Sequence, residues 1–339
     1  MKGYHYVGLD VHKKTIAYCV KEADGRIVEE AEMGATRGEL AAWAGRRKRP
    51  WKGAMEATLF TGWIYDFLLP HAAELKVGHS YMLRAICAAK KKNDRVDARK
   101  LADALRCDLL PECYMAPAEL RELRQVLRYR NLLVREAVRL KNKTAGLLME
   151  SGAEYDKKRL HGQRYFQELL SGLDYVPRSV VELLALNDEG RRVFDQAQRR
   201  LVRGLVEHPL LAERVERLQS IRGVGELTAL TWALEIGDPH RFPSGKKASS
   251  YCGLCGDYSM SAGKVKRGPI SKKRNPHLQT ILVEAAKLAP RWNPQLAAVY
   301  EKEVARGSNR NEATLAVARK LVSYMLCVDK SGKDFVPRE

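Results

Sequence analysis

The chain has 339 residues, 45% hydrophobic and 30% charged, which leaves room for two or three domains with cores of their own and excludes a disordered chain. No apolar run approaches the roughly twenty residues of a membrane span, and the start of the chain lacks a signal-peptide layout, so a cytoplasmic protein with no membrane partner is expected. The 60 Lys and Arg outnumber the 41 Asp and Glu to give a net charge of +19, an excess that points to a polyanionic partner, usually nucleic acid. The seven cysteines, at 19, 87, 107, 113, 252, 255 and 327, are odd in number and scattered, as in a reducing compartment. Cys252 and Cys255 form a lone CxxC; a zinc site would need two more ligands, and nothing with paired spacing supplies them.

In chain order, residues 4–10 alternate into a strand that ends on Asp10. Thr15 to Val20 and Arg26 to Met33 give two further strands. Short turns at His12–Lys14 and Asp24–Gly25 join them as in an antiparallel meander. Thr36 opens a helix with Glu39 three residues on, a capping box; Leu40 and Trp43 form its inner face. Lys52 to Ala57 is a strand carrying Glu56, Thr61 to His71 a helix, and Leu75 to Gly78 another strand. Then comes Lys91-Lys92-Asn93-Asp94-Arg95-Val96-Asp97-Ala98-Arg99-Lys100, which opens a helix running through Leu105. Its two carboxylates lie three residues apart and so share a helix face. Asn93 or Asp94 can cap that helix, and acidic residues complement its dipole, but capping accounts for Asp94 better than for Asp97. The whole is an α/β layout with a mixed sheet.

From Pro117 the texture changes. Leu120, Leu123, Leu127, Val134, Ala137 and Leu148 recur at three- and four-residue steps, the pattern of a long amphipathic helix. Between Arg121 and Lys143 stand eight Lys or Arg, Arg124, Arg128 and Arg135 among them, and two Glu. Such a face suits a phosphate backbone. Arg178 to His208 is a second basic helix, and the two could pair as an antiparallel coiled coil or across protomers. Leu218 to Ala229, with Gly223 and Gly225, resembles a helix-hairpin-helix element whose glycines let backbone amides approach a phosphate. Residues 241–274 carry nine Lys or Arg against Asp257 alone. In this segment Ser259 and Ser261 sit among glycines and the cations Lys264, Lys266, Arg267 and Lys272, as in a loop that grips a phosphate or attacks one. A serine hydroxyl needs activation to attack, here by cations or metal. Leu278 to Leu288 and Asn311 to Leu326 read as core helices.

A strand-end Asp, a later strand with Glu and a helix with further Asp is how RNase H-like folds assemble metal sites. Asp10, Glu56, Asp94 and Asp97 would converge on one sheet edge, and four carboxylates repel one another unless divalent cations join them. Gly8-Leu-Asp10-Val-His12-Lys13, Met55-Glu56-Ala57-Thr58 and Asn93-Asp94-x-x-Asp97-Ala98-x-x-Leu101-Ala102 look like the three blocks of a RuvC-like domain. Ile221-x-Gly-Val-Gly225, Phe242, Gly253-Leu254, Ser261-x-Gly263, Ile270-x-Lys272 and Asn275-x-x-Leu278 look like a C-terminal transposase domain. In their order and separation they resemble, almost end to end, the DEDD-type transposases of the insertion-sequence family numbered one hundred and ten, the bridge-RNA-guided recombinases.

That resemblance implies three parts: a RuvC-like DEDD domain at 1–115, long basic helices at 116–212, and a helical transposase domain at 213–339. It implies that the four carboxylates bind Mg²⁺, as two ions and with Mn²⁺ as a substitute, and that Ser261 attacks DNA to form a covalent phosphoserine. Ser259 is the fallback, because Met260-Ser261-Ala262-Gly263 departs from the usual Ser-Ser-Gly-Gly. The usual Lys-x-Gly-Asn also reads Lys272-Lys-Arg-Asn275 here. The two half-sites would come from different protomers of a homodimer or homotetramer. A structured guide RNA would pair with donor and target DNA, and Lys13, Arg95, Arg99 and the basic helices would contact nucleic acid. The setting implied is the nucleoid of a prokaryote. The alternatives weighed are a hydrolytic RuvC-like nuclease such as a junction resolvase, a related site-specific DNA invertase, a sugar-kinase or actin-like ATPase, and a non-catalytic nucleic-acid-binding protein. The ATPase lacks support because Val11-His12-Lys13-Lys14 is not a Gly-rich phosphate loop.

Overall fold

A computed structural model describes residues 3–86, 93–261, 263–272 and 274–337; the side chains of Ser259, Lys266 and Arg267 lie outside it. Lys90 to Lys92 also lie outside the described residues. The chain divides into two compact units, Met1–Ala118 and Glu119–Glu339.

The first unit is built on a five-stranded sheet in the order β3-β2-β1-β4-β5. Its strands are β1 (His5–Val11), β2 (Thr15–Lys21), β3 (Ile27–Gly34), β4 (Trp51–Glu56) and β5 (Glu74–Gly78). The meander β1-β2-β3 is antiparallel, whereas β4 and β5 run parallel to β1, as the mixed sheet requires. One face is covered by α1 (Arg37–Gly45) and α2 (Thr61–Leu68). Val7, Leu9, Ile16, Leu40, Trp43, Trp51, Met55 and Ile64 form the core there. Thr36 caps α1, its hydroxyl accepting from the Glu39 amide, and Glu39 reaches the Gly34 amide instead of closing a capping box.

The other face is covered by α4 (Asp94–Arg106), which follows α3 (Ser80–Ile86). Ala98 packs against Ala17 and Cys19. Lys21, buried on β2, is paired with Asp103, and Arg99 grips Glu30 of β3 through both Nε and Nη2. Gly8 is where helix and strand come closest. A Cβ there would overlap the Ala98 carbonyl oxygen and sit 2.5 Å from the Ala102 amide nitrogen.

The second unit contains two long helices, α5 (Ala118–Glu150) and α7 (Arg178–Val206). They run antiparallel: Leu127 shares a core with Leu205, Leu140 approaches Gly190, and Leu148 shares a cluster with Leu184. The stretch between them, irregular in sequence, holds α6 (Gln163–Ser171), whose Phe166 caps the distal cluster. Leu127 and Leu205 belong to the main core of the unit, so the helices expected as a separate middle part share that core with the C-terminal helices.

That core is made by α8 (Ala212–Gln219), α9 (Glu226–Ile236), α10 (Gly245–Tyr251), α11 (Pro276–Leu288), α12 (Pro294–Ala305) and α13 (Arg310–Ser331). The turn between α8 and α9 buries Ile221 and Val224 and needs Gly223 at φ +97°, where a Cβ would also strike Ala289. One expectation is corrected. The serine segment, expected as a loop of the helical domain, is an antiparallel ribbon, β6 (Gly256–Ser261) and β7 (Lys264–Ile270). Its alternation of polar and apolar residues (Tyr258, Met260 and Val265 against Ser261 and Lys264) is the strand signal that glycines and charge obscured.

Candidate active site

Asp10 is the next-to-last residue of β1, paired with Ala17 of β2. The parallel register sets Leu9 beside Met55, so one step on Asp10 neighbours Glu56 at the end of β4. Side chains alternate along a strand. Leu9 and Met55 enter the core, so Asp10 and Glu56 turn to the opposite face, the one covered by α4. Asn93 caps α4, its side-chain oxygen accepting from the Arg95 amide at 3.0 Å. Capping is thus done by Asn93, which leaves Asp94, the first helical residue, free of that duty. Asp97 follows one turn later with its own amide bonded to the Asn93 carbonyl.

The carboxylates of Asp10 and Asp94 meet at His12. Its Nε2 lies 3.3 Å from Asp10 Oδ2 and 3.5 Å from Asp94 Oδ1. Ligand atoms of Asp10, His12 and Asp94 all fall within 4.8 Å of one another. Asp10 is the buried member, 12% exposed at its side chain, against 48% for His12 and 55% for Asp94. Burial holds the Asp10 carboxyl above the usual carboxylate range; the negative charges of Asp94 and Asp97 add to this and His12 opposes it. A buried acid facing two further acids is a site short of positive charge, which a divalent cation would supply. Glu56 and Asp97 stand outside the close three-residue group, Asp97 with Lys100 at 3.7 Å. Each still belongs to the same corner, Glu56 by register and Asp97 by the field it exerts on Asp10. His12 carried no assigned role in the sequence, although it stands in the motif with Asp10. A histidine two residues after a strand-end acid shares its side of the strand, which is the signal that could have singled it out.

Among the residues expected to meet nucleic acid, the structure divides sharply. Lys13, Arg95, Arg135, Lys264 and Lys272 are exposed. Arg99 is committed to Glu30. Arg124 donates to the Leu234 carbonyl, and Arg128 makes a bidentate pair at 2.8 Å with Glu235, which is 1% exposed. These two arginines fasten α5 to α9. Burial alone would raise the Glu235 carboxyl, but Arg128, with Asn275 and the Arg124 charge, outweighs it and holds the group below its usual range. Asn275 donates to Glu235 at 2.8 Å while capping α11, so this buried acid anchors the end of the basic segment. A lone Glu in the apolar run Leu230–Ile236 was the sign of it. Gly225 caps α9 with open space at its Cα, whereas Gly223 is enclosed.

Ser261 ends β6, exposed, and pairs across the ribbon with Lys264. Ser259, Lys266 and Arg267 lie in the same ribbon by backbone. Cys252 is fully buried, and burial pushes its thiol up to about 12, so it acts as a small core residue. Gly253 beside it takes φ +72° where a Cβ would meet Arg274.

Residues 7–152 match a transposase family profile of the DEDD type, and residues 215–301 match the profile described as the transposase IS116/IS110/IS902 family. The chain belongs to the IS110 family of transposases. Its relatives include a transposase for insertion sequence element IS1111A from Coxiella burnetii, 28% identical over 68% of this chain and 64% of that protein. A putative transposase from Sinorhizobium fredii is 26% identical over 71% of this chain and 66% of its own length, and the transposase for IS1328 from Yersinia enterocolitica is 25% identical over 72% and 73%. The chain thus spans somewhat under two thirds of the length of the first two. The profile of the DEDD type ends at residue 152 and so covers the whole carboxylate corner, while the second covers α9, the ribbon and α11. Among the described residues no helix is long and apolar enough to cross a membrane.

Proposed function

We propose that this IS110-family chain is a DNA transposase that cuts and rejoins strands of an insertion sequence. The observation that carries the reading is the corner at which Asp10, His12 and Asp94 converge, with Glu56 in register and Asp97 one helical turn away. The donor set fits a hard divalent cation. Carboxylate oxygens suit Mg²⁺ and Mn²⁺. Asp10, Glu56, Asp94 and Asp97 would hold the ions, with His12 as a further ligand or as the donor that orients Asp10 and Asp94. Bound there, the ions would neutralise charge on a phosphodiester and stabilise its attacking and leaving oxygens.

Ser261 is the nucleophile in this proposal. Its Oγ forms a bond to phosphorus and its proton passes to solvent. The bridging ester oxygen leaves with the bonding pair and is protonated. One diester has replaced another, so the reverse attack by a strand end rejoins DNA without an external energy source. Lys264, across the ribbon, offsets charge on the phosphate. Assembly as a homodimer or homotetramer, with Ser261 and the carboxylates from different protomers, is part of the same proposal. So are an antiparallel coiled coil of α5 and α7, phosphate contacts from a helix-hairpin-helix element at α8–α9, and a structured guide RNA that pairs with donor and target DNA.

The reading is tested by strand exchange between DNA carrying the ends of the element, with Mg²⁺ or Mn²⁺, for wild type, Asp10→Asn and Ser261→Ala. Both substitutions are expected to abolish exchange, and Ser261→Ala to leave RNA binding nearly unchanged. Normal exchange by Ser261→Ala would remove the serine assignment. A hydrolytic junction resolvase is the competing outcome, recognised by cleavage that survives this substitution.

A further inference from the structure

The ribbon that carries Ser261 has two chemically different faces. Side chains alternate along each strand, so Ser261 and Met260 point to opposite sides. Ser261 pairs with Lys264 and Met260 with Val265, which gives one polar face with Ser261 and Lys264 and one face carrying Tyr258, Met260 and Val265, with Arg267 opposite Tyr258 in the backbone register. Tyr258, two residues before Met260, belongs to the apolar side, and its hydroxyl contacts the Met260 sulfur at 3.6 Å. These apolar groups are not covered: Tyr258 is 64%, Met260 65% and Val265 51% exposed. Among the described residues no helix packs extensively along the ribbon, whose strands pack on each other.

A two-stranded ribbon with no third layer is marginally stable by itself, and a contiguous exposed apolar face marks a contact surface. The charge around it selects the occupant. Between Gly256 and Lys272 the only acid is Asp257, against Lys264, Lys266, Arg267 and Lys272, so a polyanion is favoured over a protein or a second copy of this basic chain. The major groove of duplex DNA is about 12 Å wide and admits a two-stranded ribbon. Apolar side chains gain nothing from phosphates, but the thymine methyl groups on the base edges of the major groove accept them.

We propose that the Tyr258–Met260–Val265 face is a base-contacting surface, seated in a groove of duplex DNA, while Ser261 and Lys264, which flank the turn at the end of the ribbon, reach the backbone at the groove edge. It rests on the proposed function for its ligand, and it assigns Tyr258, Met260 and Val265 as positioning residues. By holding the bases beside the scissile phosphate, they fix which phosphate Ser261 reaches.

The test uses the full-length protein and duplexes from the ends of the element with thymines replaced by photoreactive 5-iodouracil. The expected crosslinks fall on Tyr258 or Met260, located by fragment mass spectrometry. The double variant Tyr258→Ser with Met260→Ser should bind the duplex about tenfold more weakly, the scale expected for losing buried apolar contact, with an unchanged slope of log affinity against log salt. Lys264→Ala should instead lower that slope by about one phosphate contact. Both sites are exposed, so the fold is retained, and circular dichroism checks it. Crosslinks confined to other residues while duplex is bound would overturn the proposal. So would a double variant with unchanged DNA affinity and altered sedimentation, which would make the face a contact between copies. Crosslinks at Tyr258 without any Ser261–DNA adduct would count against the serine chemistry and leave this surface standing; the converse would remove the surface alone.

Discussion

Replacing Gly8 with alanine probes the contact on which the carboxylate corner depends. The Cβ would overlap the Ala98 carbonyl oxygen and lie 2.5 Å from the Ala102 nitrogen, both backbone atoms that no rotamer can move. Ordinary contact lies near 3.5 Å, so α4 must retreat by about 1 Å or the strand must bend. Overpacking of this kind costs about 1–3 kcal/mol and occasionally more, and backbone against backbone belongs at the upper end. For a unit of this size, about 3 kcal/mol lowers a melting temperature by about 10 °C. The same retreat carries Asp94 and Asp97 away from Asp10, and a misplacement of about 1 Å at a reacting centre can cost about a hundredfold in rate. Gly38→Ala, in open space on α1, is the control and should be neutral or slightly stabilising. Thermal melting by circular dichroism and hydrogen exchange of the α4 amides measure the effect. A Gly8→Ala chain that melts within about 1 °C of wild type, with α4 protection unchanged, would refute this account of how the corner is assembled.

Glu235→Ala should destabilise the second unit by about 2–3 kcal/mol, because charged hydrogen bonds to Arg128 and Asn275 are lost while the half-exposed Arg128 is partly resolvated; urea unfolding measures it, and Glu235→Gln should be milder since it still accepts from Asn275. Glu235 is held below its usual range, so its contribution is complete above its unfolded value of about 4.3 and is lost as pH falls through the lower folded value; wild type should therefore lose more stability than Glu235→Gln on acidification below about pH 4. Arg99→Ala breaks an exposed pair and should leave the urea unfolding midpoint nearly unchanged, with no change in the salt dependence of DNA or RNA binding. Arg135→Ala, exposed on α5, should instead reduce the slope of log affinity against log salt by about one, read by fluorescence anisotropy at several salt concentrations.

Much of the first unit is legible from the sequence because its signals are local. The strand-end Asp10, the Asp24-Gly25 turn, the Thr36 cap and the Asn93 cap each fix an element boundary by backbone chemistry. The register that sets Glu56 beside Asp10 is not local: it needs β1 and β4 paired in parallel across forty residues. The convergence of Asp94 on Asp10 likewise depends on Gly8 admitting α4, which no periodicity reveals. Two arginines of the basic helix α5, Arg124 and Arg128, turn to α9 for a physical reason. A run of arginines looks the same whether it meets phosphate or a buried carboxylate, and Glu235, which claims Arg128, lies 107 residues away. The serine ribbon was obscured by glycines and cations that read as loop, while its alternation of apolar and polar residues spans only a few positions on each strand.

The central claim is that Ser261 and the carboxylate corner together exchange DNA strands through a covalent intermediate. It is tested most directly by mass-spectrometric mapping of the protein after incubation with DNA from the ends of the element and Mg²⁺. The account predicts a nucleotide joined through phosphate to Ser261, dependent on the divalent ion and absent in Asp10→Asn. Cleaved DNA with Ser261 recovered unmodified, and no adduct at any time point, would contradict it.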